Sequence, residues 1–192
     1  MKRRRQRRLS IFVVAAVVGF AFGAADQYLG SRSATLGPWV IAVSLASAPW
    51  LILPFAFGCG QVRARRAMAL GLVVTMAGLA GYCTLMWSPL EGVSLSQSLT
   101  QLPTLLRSQW LNFAGGLVTG PLFGLLGQRW RTGRSWLGAA LVVSALCFEP
   151  LARWLAGELP PPTLVWVIEV VAGVLLALCF VVAGVSRQRG AA

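Results

Sequence analysis

Histidine is absent from the 192 residues, and acidic residues number five against seventeen lysines and arginines. The missing histidine removes His-ligated haem, HExxH metalloprotease chemistry and Ser–His intramembrane proteolysis together. Cysteine is scarce too. Cys59, Cys83, Cys147 and Cys179 stand apart, within or at the ends of apolar runs, and read as small core hydrophobes rather than as a disulfide framework or metal site. No GxxxxGKS or GxxxxGKT loop occurs, so the chain has no signature for powering transport with a nucleotide. Neither a cofactor nor a metal is expected.

What is present is apolar: 57% of residues are hydrophobic, only 11% are charged, and the mean hydropathy is +0.72. Such a composition belongs to an integral membrane protein. A helical span needs about 20 mostly apolar residues, and six stretches qualify, at about 9–28, 38–58, 67–88, 108–127, 135–157 and 162–184. Long spans rather than alternating ten-residue segments predict an all-α polytopic bundle of six transmembrane helices. The expected organisation is a basic N-terminus over 1–8, a six-helix domain over 9–184 and a short tail over 185–192.

Charge predicts orientation. Fourteen of the seventeen basic residues fall on one side of this layout, in 2–8, 63–66, 129–134 and 187–189, while Arg32, Arg107 and Arg153 fall on the other. Lysine and arginine collect on the cytoplasmic face, so both termini are expected inside the plasma membrane of a bacterium. The basic surface suits anionic headgroups, making the lipid bilayer the expected partner, together with a partner subunit or a second copy. Nucleic acid is not expected, since no soluble domain accompanies the arginine-rich start. That start is also shaped like a secretory signal, but its long apolar stretch and the pair Gly19 and Gly23 favour an uncleaved first helix.

Small residues at four-residue spacing mark close helix packing, and here the stripes lead to polar groups. Gly19 and Gly23 continue to Asp26; Gly124, Gly120 and Gly116 continue to Asn112; Gly173 leads to Glu169, and Gly138 with Ala145 leads to Glu149. Rise per residue puts Glu149 about 12 Å and Glu169 about 10 Å below the ends of their spans, so the two carboxyls are level. Charge at that depth usually faces the bundle or a water-filled cavity. Pro150 cannot donate to the carbonyl of Leu146, which predicts a kink. Arg153, one turn beyond Glu149, is placed to pair with it. Glu169 has no basic residue within a turn of its own helix, so it must pair across helices, hold a proton or bind something. The expected site is one outward-facing polar pocket lined by Asp26, Asn112, Glu149, Arg153 and Glu169.

Trp39, Trp87, Trp110, Trp154 and Trp166 cluster near one interface, and Trp130 and Trp136 near the other, as an aromatic belt. Trp50 lies deeper, with Pro49 and Pro54, and predicts a bent second span. Residues 89–107 form the longest connection, an expected outer cap. The stretches at 12–23 and 113–124 share Phe, Val and Gly positions at one offset, which also superposes Pro49 on Pro150 and suggests an inverted repeat.

The Gly-paired first span, "FAFGCGQVRARR", "GLAGY" and "GPLFGLLGQRWR" resemble an uncharacterised family (a domain of unknown function) of small six-helix membrane proteins of high-GC bacteria. That resemblance implies a fold and no activity. A weaker resemblance is to the substrate-binding subunits of energy-coupling-factor vitamin transporters. It implies solute capture from outside, with Ala15, Gly19 and Gly23 docking to an energising subunit. No nucleophile or metal motif accompanies the carboxylates, so no enzyme is expected. The expected function is binding or translocation of a small polar or cationic solute, against a structural or partner-binding alternative.

Overall fold

The computed structural model describes residues 2–87, 103–104, 107–133, 135–158 and 161–189, with side chains described between Ser10 and Ser186. The cap expected over 89–107 lies, but for three residues, outside that set. All regular structure among the described residues is helical: α1 (Lys2–Ser31), α2 (Ser33–Leu36), α3 (Trp39–Leu45), α4 (Ala48–Cys59), α5 (Ala64–Met86), α6 (Trp110–Arg131), α7 (Leu137–Leu155) and α8 (Thr163–Arg189). Ser10–Ser31 of α1, α5, α6, α7 and Thr163–Ser186 of α8 are each long and apolar enough to cross a membrane. The second expected span is two helices, α3 and α4, meeting at an angle of 48°.

The exterior is apolar. On α8, Leu164, Ile168, Val171, Leu175, Leu178 and Val182 are all exposed, at the spacing of one helix face. In water such a stripe would be an association surface; against hydrocarbon it is the ordinary outside of a bundle.

Helix α5 is the hub, with α1 on one flank and α6 on another, while α4 packs on both α5 and α6 and α8 packs on α7. Glycine makes these approaches close. A Cβ on Gly19 would overlap the backbone of Val74, and one on Gly23 the backbone of Gly78. A Cβ on Gly58 would overlap Gly124, and one on Gly124 would overlap Ala67. Gly120 lies against Gly71 and Thr75, Gly116 against Leu79, and Gly173 against Cys147 and Leu146. Without side chains at these positions the backbones meet, and dispersion replaces the hydrophobic effect as the source of cohesion. Ala15, Leu70 and Val74 fill the α1–α5 seam, and Phe55, Phe123, Leu126, Ala139 and Val142 fill a second core joining α4, α6 and α7.

Two expectations need correction here. Ala15, Gly19 and Gly23 all face α5, with Ala15 fully buried, so they form an internal seam and not a docking face. The suggested repeat is not carried by the packing: α1 lies against α5, but its counterpart α6 packs on α5 and α4 rather than on α8. Pro150 lies within an unbroken helix. α7 is helical throughout Leu137–Leu155, with Pro150 buried inside it. The bend expected in the second span is present, and it falls at Ala46, whose extended backbone (φ −64°, ψ 119°) follows α3.

Candidate functional site

Breaking a helix inside a membrane exposes carbonyls at the end of one half and N–H groups at the start of the other, where no bulk water satisfies them. Pro49, in the first turn of α4, removes one of those donors at no loss. The remainder are met from α7. Glu149 accepts the Ser47 N–H at 2.9 Å through Oε1, and through Oε2 the Ser47 hydroxyl at 2.7 Å and the Ala48 N–H at 3.2 Å. Arg153 donates to the carbonyl of Leu45, the last residue of α3. The same guanidinium donates Nε and Nη2 to Glu149 Oε1 at 3.1 and 2.8 Å.

The ion pair expected between Glu149 and Arg153 is thus present, with side chains 9% and 22% exposed. Its polarity follows the helix ends: the carboxylate sits at the positive N-terminus of α4 and the guanidinium at the negative C-terminus of α3. The carboxylate and guanidinium lock the break from both sides.

Glu169, on α8, faces this pair across the α7–α8 interface. It is only 9% exposed. Neither oxygen of Glu169 has a hydrogen-bond partner among the described residues. Trp166, one turn away, is 3% exposed and lies under the Arg153 guanidinium, 5.5 Å from ring centroid to Cζ. It therefore departs from the expected belt, whereas Trp39, Trp110, Trp136 and Trp154 are exposed as belt residues are.

A cavity of about 460 Å³ opens on the other flank of the break. α1 contributes Asp26; the break contributes Ser44, Ser47 and Trp50; α5 contributes Thr75 and Tyr82; α6 contributes Asn112 and Thr119. The Trp50 indole N–H donates to Asp26, and its ring meets Phe22 edge-on at 5.0 Å. Thr75 is 6% exposed, and its hydroxyl has no partner among the described residues. Asn112, at the exposed rim, donates its amide to Gln109. Among the described residues the lining contains one carboxylate and no lysine or arginine.

No family model, curated protein or solved structure matches this chain.

The single pocket expected from the stripes is therefore two places. Asp26 and Asn112 line the cavity; Glu149, Arg153 and Glu169 form a cluster outside its lining. The stripes do not tell which neighbour each face meets, and the broken helix intervenes. Ser47 belongs to both, lining the cavity and donating to Glu149. Ser44, Ser47, Thr75 and Tyr82 were not expected in the site. Thr75 and Tyr82, seven residues apart on α5, share a helix face with Gly78, and that spacing was the available signal.

Proposed function

We propose that the chain is a six-span protein of the bacterial plasma membrane, both termini cytoplasmic, that binds a small cationic solute in an outward-facing cavity. The supporting observation is the cavity lining, where, among the described residues, Asp26 is the one charged group, Trp50 and Tyr82 supply aromatic surface, and the Thr75 hydroxyl has no partner. A volume near 460 Å³ falls in the range of small-molecule sites, roughly 300–1,000 Å³.

The test is a thermal-shift series of the purified protein against organic ammonium ions, amino acids and neutral solutes of similar size. A cation at a hundred times its Kd should stabilise by about 2.7 kcal/mol, and Asp26→Asn should weaken it roughly 10- to 100-fold, as loss of a charged partner does. Equal responses to neutral and cationic solutes, or an unchanged Asp26→Asn, would end this reading.

Orientation has its own check. A reporter fused after Ala192 should read cytoplasmic, and Ala34→Cys, exposed on α2, should react with an impermeant thiol reagent applied outside; the reverse pattern would point the cavity inward.

The structural alternative has an observation in its favour for Glu149 and Arg153, whose hydrogen bonds go to the α3–α4 break. These two residues hold helices together, and solute recognition belongs to Asp26. A role as the solute-binding subunit of a larger uptake system needs a docking face other than Ala15, Gly19 and Gly23.

A further inference from the structure

The cluster at the break holds one acid too many. Glu149 and Arg153 neutralise one another and use their hydrogen bonds on the break, while Glu169 faces both with no donor to it among the described residues. We propose that Glu169 is a proton-binding site whose occupancy sets the shape of the α3–α4 break, and through Leu45 and Ser44 the wall of the cavity. The consequence for solute rests on the cavity reading above; the proton site does not.

A proton fits where a metal ion does not. Glu169 offers two oxygens, whereas a hard cation such as Ca²⁺ takes 6–8, and the adjacent guanidinium repels any cation. Glu149 is the wrong acid for the role, since five donor groups converge on it: the N–H and hydroxyl of Ser47, the Ala48 N–H and two nitrogens of Arg153. A proton there would displace one of them. A proton on Glu169 displaces none and supplies a donor facing Glu149.

The charged groups facing Glu169 are Glu149 and Arg153, both from α7. α3, which also touches α8, carries no titratable residue. With Glu169 neutral, Arg153 is committed to Glu149 and the Leu45 carbonyl, as observed. When the proton leaves to water, the new carboxylate competes for the guanidinium. The hydrogen bond to Leu45 is the one that gives way, because its acceptor is a neutral carbonyl whereas the others join the guanidinium to carboxylates. The end of α3 is then released, while α4 stays anchored through Ser47 and Ala48. Ser44, one residue before Leu45 and in the cavity wall, moves with it.

Infrared difference spectra of the full chain in lipid nanodiscs, on a step from acid to base, should lose one buried carboxylic-acid C=O band. Glu169→Gln should abolish that band, Glu169→Asp should shift it, and Asp26→Asn should leave it. Nitroxides at Ser44 and Leu111, on a background with the four native cysteines replaced by alanine, should show a separation that changes with pH. Glu169→Gln should fix it at its acid value. A band that survives Glu169→Gln, a separation insensitive to pH, or a pH response unchanged by Glu169→Gln would each overturn the proposal. If Glu169→Gln fails to fold, an unshifted band in Glu169→Asp overturns it equally. Failure of cation binding to depend on Asp26 would leave these readouts untouched, so the two readings fail separately.

Discussion

Glu149→Ala should cost about 3–5 kcal/mol of stability, the penalty for removing one partner of a buried pair. The guanidinium of Arg153 loses its counter-ion, and the Ser47 and Ala48 donors lose their acceptor at the same stroke. Unfolding of the purified protein in mixed micelles of increasing denaturing-detergent fraction would measure this. Glu149→Gln, which keeps one acceptor oxygen and loses the charge, should fall between alanine and wild type. The double variant Glu149→Ala with Arg153→Ala should cost less than the sum of the single ones, by roughly 0.5–3 kcal/mol, because the orphaned guanidinium is gone. A Glu149→Ala cost below about 1 kcal/mol, the range of exposed pairs, would mean that the break is satisfied in some other way.

Gly124→Leu should be at least as damaging, since Gly124 is where three helices meet. Its own Cβ would overlap the Ala67 carbonyl of α5, and the backbone around it is what Gly58 of α4 rests against. Overpacking usually costs about 1–3 kcal/mol through shifts of neighbouring side chains. Here the obstacle is backbone on both sides, so relaxation means separating α6 from α5 and α4, and little folded protein should be recovered. Gly115→Ala is the matched control: nothing among the described residues lies within 4 Å of the position its Cβ would take. It should stay within about 0.5 kcal/mol of wild type. Size-exclusion profiles and melting curves of the two variants decide the matter, and similar behaviour would show that the glycine contacts are not what closes the bundle.

The parts of this architecture legible in the sequence are those set by local composition. Apolar length marks the spans within a few residues, and glycine spacing marks the faces of α1 and α6 that meet α5. The i to i+4 spacing of Glu149 and Arg153 marks their ion pair. What local pattern conceals is the partner across the bundle. The Ser47 hydroxyl reaches Glu149 over 102 positions, and nothing in "SLASAPW" announces that the helix stops at Ala46, because Pro49 and Pro54 draw attention to the turns after it. Depth along a helix follows from counting residues. Azimuth relative to a distant helix does not, which is why Asp26 and Asn112 were grouped with Glu169 although they line a different place.

The location of the lock in the chain has a consequence for synthesis. Ser47 leaves the ribosome about a hundred residues before Glu149, so the two half-helices of the second span reach the bilayer while their N–H and carbonyl groups have no partner from α7. An unsatisfied backbone group in hydrocarbon is worth several kcal/mol. Until α7 arrives, the nascent second span must therefore close its gap as a continuous helix or stay beside water and the insertion machinery. The final geometry of the break is set late in biogenesis, by the arrival of one carboxylate and one guanidinium.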